Sequence, residues 1–461
     1  MLDFTTALKE IEAKYKISEI KVNEILLWPY LRYVVGNILR VKILNKASTE
    51  IKKKKFNSKL KKIYNLKYGI LNIFKPCDAI FFSTSKERKF VGNFSISKNI
   101  NEIYKRYDKP LLVEHAFEDE HFDIKSVSEK NIVSLSLIEI LSSMIIKFNL
   151  LKYKLTGQDV INSINNRYGI NIDLKKISLE FLSRYYLFKL FFKIKKPKIL
   201  FITVWYGYGP VIKAAKDQGI KTVEIQHGSF NKSHYSYNME QIIDSSHYPD
   251  YILTYSKKYE KFFNNKELIL NNIFKPLAVG SFLENIKNNP PLKKDKFKEF
   301  KYIVSMSATT NESYLEYDFL RKLSNIFDNV LFIYLPRRNN DFKGAKNLFI
   351  AKKLTASDYL PISDLHITGR SSCMYEAAFF EKKTLIYTPF IELQSQIENL
   401  KMELNKYPSL YRFIEGDEDF GFILREELKN TFINLDELRS QNLYETDYNK
   451  NIKNFIKMIS K

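Results

Sequence analysis

Cysteine is almost missing: Cys77 and Cys373 are the only two in 461 residues. Two thiols cannot make a disulfide framework or a Cys-rich zinc site, so a reducing compartment is expected. Glycine (14) and proline (13) are too scarce for a collagen-like or low-complexity chain. Long apolar runs are also lacking. None reaches the roughly 18 residues of a spanning helix, and stretch 135–146 is broken by Glu139 and serines. The start, MLDFTTALKEIEAKYKISEIK, has no apolar signal-peptide segment. Acid falls short of base, 52 Asp plus Glu against 74 Lys plus Arg, a formal net charge of +22.

What is present suits a folded chain of two or three domains, with 45% hydrophobic and 27% charged residues. Lys, Asn, Ile, Tyr and Phe are abundant together, a mixture that AT-rich coding DNA yields without functional demand. The charge is nevertheless uneven. Residues 1–75 hold 17 Lys or Arg and 6 Asp or Glu, net +11, which is half of the excess. Such a concentration suits acidic lipid headgroups or a polyanionic substrate. No helix-turn-helix, zinc-finger or RNP-type pattern accompanies it, so nucleic acid is not an expected partner.

Residues 1–75 read as mainly helical. Ile17, Ile20, Val22, Ile25 and Leu26 recur at roughly helical spacing until Trp28-Pro29 interrupts. Segment 51–74 mixes lysines with Phe56, Leu60, Ile63, Tyr64, Leu66 and Ile70 and suits a bilayer surface. The alternative is a solvated helix that packs its apolar side on its own domain. The expectation is a cytoplasmic protein, peripheral on the inner face of the membrane. From Cys77 onward strands are predicted at 78–83, 110–114, 198–203, 221–225, 250–254 and 276–280. Helices are predicted within 128–195 and at 209–218. After the polar stretch 285–300, strands follow at 302–305, 330–334, 364–368 and 384–387, with helices at 315–327 and 371–380. Residues 425–461 read as helical and as crossing back to the first domain. This alternation predicts an α/β fold of two Rossmann-like domains, 76–285 and 300–425. The basic helical segment 1–75 precedes them and C-terminal helices 426–461 follow.

In open α/β sheets ligands bind outside the carboxyl ends of the strands. Residues 205–210 and Gln226-His227-Gly228 fall there. Gly207-Tyr-Gly209 and Glu224 mimic part of a dinucleotide fingerprint, but Ile212 stands where the third glycine belongs, which argues against NAD or flavin. No cofactor is expected beyond a co-substrate. His227 follows a buried strand and precedes glycine, a fitting place for a general base; the alternative is a histidine that bonds a loop. Trp205, Tyr206, Gln226, His234 and Tyr237 share that rim as candidate acceptor-binding residues. In the second domain Gly369-Arg370 turn after a strand and Ser371-Ser372 open a helix, a natural phosphate site. Glu376, one turn in, reaches toward a ribose diol. An ordinary cap and a dipole-compensating acid are the alternative. Arg337 and Arg338, at another strand end, suit a diphosphate. Ser305 and Ser307, in SMSATT, are further candidates for donor phosphate. No DxD-type acidic triplet stands at a strand end, so no metal is expected; arginines and the helix dipole take its place.

VEIQHG in the first half and TGRSSCMYEAAFFEKKTLIY in the second resemble the GT-B glycosyltransferases of bacterial capsule and lipopolysaccharide synthesis. The likeness extends to the CDP-glycerol glycerophosphotransferase and polysialyltransferase-like group and covers roughly residues 77–400. It implies two Rossmann-like domains facing across a cleft. It also implies His227 as the base on the acceptor side, and Ser371, Ser372 and Glu376 on a nucleotide-sugar donor. The implied activity is inverting, metal-independent sugar transfer to a hydroxyl of a growing surface glycan or lipid-linked glycan. The alternatives are a glycerol- or ribitol-phosphate transferase and a non-enzymatic membrane or polyanion binder. Leu335-Pro336 lacks the histidine of the polysialyltransferase-like His-Pro, which leaves the donor open.

Overall fold

The computed structural model describes residues 4–43, 55–91, 94–117, 119–228, 230, 234–241, 244–264, 273–309, 314–336, 342–351, 355–391, 394–416 and 418–460. The chain divides into two compact units. Residues 1–88, 94–279 and 449–461 form the first, and residues 89–93 and 280–448 the second. The polar stretch 285–300 therefore lies inside the second unit. The basic N-terminal residues belong to the first, and the helix Tyr448–Ile459 returns the chain to it.

The first unit is built on seven parallel strands: β1 (Ala79–Thr84), β2 (Pro110–His115), β3 (Ile132–Ser134), β4 (Ile199–Ile202), β5 (Lys221–Ile225), β6 (Tyr251–Thr254) and β7 (Lys275–Ala278). Their spatial order is β7-β6-β5-β4-β1-β2-β3. The central pair, AIFFST in β1 and ILFI in β4, shows no polar alternation because helices cover both faces. Phe81 stacks on Phe201 across that pair at 4.7 Å. Chain order reverses between β1 and β4, and the diverging connections leave a crevice there at the carboxyl edge. The long helix Leu174–Lys195 flanks it. Asp173 caps the Lys176 N–H, and Lys196 in the left-handed region (φ 49°) ends the helix.

The second unit carries six parallel strands: β8 (Tyr302–Ser307), β9 (Val330–Leu335), β10 (Leu348–Ile350), β11 (Leu365–Thr368), β12 (Lys383–Tyr387) and β13 (Tyr411–Ile414). Their order is β10-β9-β8-β11-β12-β13, with the reversal between β8 and β11. Val304, Met306, Phe332, Tyr334, Leu365 and Leu385 centre its core. Both units are thus doubly wound and Rossmann-like, as the alternation predicts.

Two expectations near the N-terminus fail. Residues 17–26 do not form a helix. Ile17–Glu19 makes one 3-10 turn, and Lys21–Val22 pairs antiparallel with Ile25–Leu26 and with Leu155–Thr156. Asn23 and Glu24, at φ 47° and 64°, make the turn, and Ile and Val suit the short strands. Nor does Pro29 interrupt: it lies in the first turn of the helix Trp28–Ile43, where its missing N–H costs no hydrogen bond. The edge strands β3, β10 and β13 escape prediction because three or four residues carry too little periodicity.

Candidate functional site

β5 ends at Ile225 and delivers Gln226-His227 to the carboxyl edge of the first sheet. Gln226 is fully buried. Its Nε2 donates to the Gly228 carbonyl at 2.6 Å, and its Oε1 accepts the Tyr255 N–H at 2.6 Å. It shapes the turn and is not presented to an acceptor. His227 remains partly exposed. Its ring hydrogen-bonds the backbone of Thr203, just past β4, while Nδ1 has no partner among the described residues. A ring that donates to the Thr203 carbonyl through Nε2 leaves Nδ1 as the unprotonated nitrogen, buried and unpaired among the described residues. Burial pushes the imidazole down to about 4, against the opposing effect of Thr203 and aided by the charge of Lys98. His227 is therefore neutral at pH 7.

An aromatic wall adjoins it. The Tyr206 ring lies 6.4 Å from His227 and 5.9 Å from His234, and Tyr237 lies 4.8 Å from His234. Tyr206 and His234 are partly exposed, whereas Tyr237 and Trp205 are buried. The Tyr237 hydroxyl donates to Glu224 Oε1 at 2.6 Å, and the backbone N–H of Trp205 donates to the same oxygen at 3.3 Å. Burial pushes the Glu224 carboxyl up to about 8, despite those two bonds. Trp205 and Tyr237 thus hold the loops, and only Tyr206 and His234 of the aromatic set stand on the rim. The N-terminal helices clamp the same loop. Arg32 Nη2 donates to the Asn238 carbonyl at 2.8 Å, and Glu12 Oε2 accepts the Glu240 N–H at 2.9 Å.

Beside Thr203, over the ends of β1 and β4, lies a cavity of about 440 Å³. Its polar lining comes from Glu87, His115, Glu139 and Arg184. Glu87 accepts from Asn99 Nδ2 at 3.0 Å and from the Thr203 side chain, and burial pushes its carboxyl up. Glu139 lies 3.3 Å from His115 Nε2 and 2.8 Å from Lys62 Nζ. Burial works against its charge, but those two bonds prevail and hold it at about 2. Sequence reasoning missed these four residues, which come from separate segments. The one signal for Arg184 is that it is the single arginine in the lysine-rich stretch 182–196.

Behind Glu87 sits a fully buried ionic network. Arg88 Nε donates to both Glu114 oxygens at 2.8 and 3.0 Å, and Nη1 donates to Glu129 Oε2 at 2.8 Å and to the Ser95 carbonyl at 3.1 Å. Glu129 Oε1 accepts the Ser97 N–H and Glu114 Oε1 accepts the Ser85 hydroxyl. This network pins the loop after β1 that carries Glu87.

In the second unit the expected donor residues separate. Ser305 and Ser307 occupy alternate positions of β8, so their hydroxyls share one face. There they meet the buried His366 ring of β11, Ser305 Oγ at 3.0 Å from Nδ1 and Ser307 Oγ at 3.1 Å from Nε2. Both serines are buried and neither hydroxyl is presented to a phosphate. The turn after β11 is different. Thr309 Oγ1 accepts the Gly369 and Arg370 N–H groups at 3.0 and 3.2 Å. A Cβ on Gly369 would lie 2.7 Å from Phe390 Cβ, so only glycine fits. Ser371 Oγ accepts the Cys373 N–H, while Ser372 is exposed at the start of the helix Cys373–Phe379 that carries Glu376. Arg337 and Arg338 lie outside the described residues.

Three elements of the first unit expose apolar stripes at helical spacing. They are Leu60, Ile63 and Tyr64 on helix Lys55–Asn65; Leu141, Met144 and Phe148 on helix Ser136–Lys147 and its cap; and Tyr186, Leu190 and Ile194 on helix Leu174–Lys195. Leu71 and Phe74 add to them, 74% and 83% exposed. The Lys62–Glu139 ion pair, the Ser142–Ser183 hydrogen bond (2.6 Å) and the bond from Lys195 Nζ to the Lys75 carbonyl tie these elements together. Segments 55–76, 136–154 and 182–198 hold fifteen Lys or Arg and one acid, the largely buried Glu139. Among the described residues no helix is long and apolar enough to cross a membrane.

No family model matches the chain, and no curated protein matches it. Several solved structures are similar to it at low identity. A UDP co-structure of S. aureus MnaA is 11% identical, covering 83% of this chain and 95% of that one, with a TM-score of 0.49. The wall teichoic acid polymerase TagF is 13% identical, covering 88% and 98%, with a TM-score of 0.46. The UDP-GlcNAc 2-epimerase of Neisseria meningitidis bound to UDP-GlcNAc is 8% identical, covering 83% and 99%, with a TM-score of 0.45.

Proposed function

We propose that the protein is an inverting glycosyltransferase that moves a sugar from a nucleotide-sugar donor to a hydroxyl of a bacterial surface glycan. The observation that carries this reading is His227: neutral, at the carboxyl edge of a parallel sheet, with a buried Nδ1 unpartnered among the described residues and a bond to Thr203, which lines a cavity. Nδ1 takes the proton of the acceptor hydroxyl as its oxygen bonds to the anomeric carbon. The bond from that carbon to the donor phosphate breaks, and the electron pair leaves with the nucleotide. In the second unit Ser372, Glu376 and the turn after β11 are the candidate nucleotide-binding groups in this reading.

Ligand-dependent stability tests it. At a concentration 100 times its Kd, a ligand of the folded state adds about 2.7 kcal/mol. Thermal melts with UDP, GDP, CMP, CDP and NAD are expected to show selective stabilisation by one cytidine, uridine or guanosine nucleotide. A response to CDP alone would favour polyol-phosphate transfer. A response to NAD only, or to none, would sink the transferase.

The three apolar stripes extend the proposal to a membrane-bound acceptor. Apolar residues among a large excess of lysines match an anionic bilayer, where each lysine near the surface contributes about 1 kcal/mol. The protein is expected to sediment with vesicles containing about 30% phosphatidylglycerol and not with pure phosphatidylcholine, and to be released by salt. Leu190→Glu with Ile194→Glu should abolish sedimentation. Equal binding to both vesicle types would refute the electrostatic part.

A further inference from the structure

The cavity over β1 and β4 contains an arginine with nothing to bind. Arg184 lines it, and its Nε is buried without a partner. No hydrogen bond or ion pair to its guanidinium occurs among the described residues, whereas Arg88 and Arg32 in the same unit are engaged by carboxylates and backbone carbonyls. A buried donor left unpaired is costly, so a guanidinium kept in a cavity points to an arriving anion.

The other polar groups are of a different kind. Glu139 is ionised and already bridged to His115 and Lys62; Glu87 is bonded to Asn99 and Thr203. Such carboxylates have lone pairs left for hydroxyl donors and would repel a second anion. Leu135, Ile138 and Phe188 give the wall an apolar part, and Tyr33, Thr84 and Tyr208 also line it. At about 440 Å³ the space falls in the range of small-molecule sites and fits a sugar ring with one substituent.

We propose that this cavity binds a sugar-sized polyol bearing one anionic group, a carboxylate or a phosphate. Arg184 holds the anion, and Glu87 with the Glu139–His115 pair accepts or donates to the hydroxyls. Thr203 lines the cavity and also bonds His227, which makes the two sites neighbours; the bound ring is the transfer acceptor on the transferase reading alone, whereas the binding does not rest on it.

The test is calorimetric titration of the full chain with glucuronate, glucose 6-phosphate, glucose and inorganic phosphate. One of the two charged sugars is expected to bind at least about tenfold tighter than either glucose or phosphate; which one does so separates carboxylate from phosphate. Arg184→Gln, which breaks no described bond, is expected to remove at least about tenfold of that affinity while leaving the melting temperature unchanged. Ile138→Trp should fill the space and abolish binding of every sugar. Charged sugars binding no tighter than glucose, or with undiminished affinity in Arg184→Gln, would overturn the proposal. So would phosphate binding as tightly as its sugar ester. Charged-sugar binding in a protein that answers to no nucleotide would uphold the cavity and reject the transferase.

Discussion

Arg88→Ala is expected to destabilise the first unit by about 3–5 kcal/mol, the usual cost of breaking a buried ion pair from one side. The substitution strands two carboxylates, Glu114 and Glu129, whose side chains are each 1% exposed. Neither has water to replace the guanidinium, and both keep neighbours suited to an ionised group, the Ser85 hydroxyl and the Ser97 N–H. Burial alone would drive the arginine toward losing its proton; the two carboxylates instead hold it charged. Urea denaturation followed by far-UV circular dichroism measures the loss. Arg88→Met combined with Glu114→Gln and Glu129→Gln should lose less than Arg88→Ala alone, because no uncompensated charge remains. Destabilisation below about 1 kcal/mol for Arg88→Ala would mean that water reaches the network. The effect should also reach function, since Glu87 precedes this arginine and lines the cavity.

The second large effect concerns His227. His227→Ala is expected to lower kcat by about 10²–10⁴-fold, the range for loss of a general base, with little change in nucleotide affinity. His227→Asn separates catalysis from architecture. Asparagine can still donate to the Thr203 carbonyl but cannot take a proton, so a purely structural histidine would be rescued and a base would not. The pH profile gives an independent reading. The base acts when neutral, and burial has pushed its pKa down to about 4. On the acid side kcat/KM should therefore stay level from pH 8 to about 5 and fall below that, rather than bend at the ordinary 6.5. A break near 6.5 would assign the proton transfer to another group.

The buried histidines couple folding to acidity as well. His366 is held at about 3 by burial, opposed by its bond to Ser305. Unfolded, it would take a proton near 6.5, so acidification below that value favours the unfolded chain, with the effect complete near 3.

Much of this molecule is legible in its residues. Continuous apolar runs such as AIFFST, ILFI and VLFIYL are too short for helices and too unbroken for half-exposed strands, and they mark a sheet covered on both sides. Their alternation with amphipathic stretches yields two doubly wound units. The carboxyl end of each strand then follows from chain direction, which puts His227 and Ser372 at sheet edges. Local spacing carries that information because strand direction and helix period are properties of contiguous residues.

Tertiary structure alone decided which side chains at those edges meet solvent. Ser305 and Ser307 look like an open SMS loop in sequence, but β8 continues through Ser307 and turns both hydroxyls onto His366 of a neighbouring strand, 59 to 61 residues away. Tyr237 faces inward because its hydroxyl donates to Glu224, buried at the end of β5, and the Trp205 indole is buried against Tyr248 at 4.9 Å. Arg184 is one cation among many in sequence; only the packing of its helix against the strand ends leaves it unpaired beside a cavity. The stripe of segment 51–74 suits a bilayer surface from sequence, but only the assembled unit shows the stripes of the other two helices facing outward as well. Burial and pairing depend on contacts between distant segments, and no local period encodes which segments those will be.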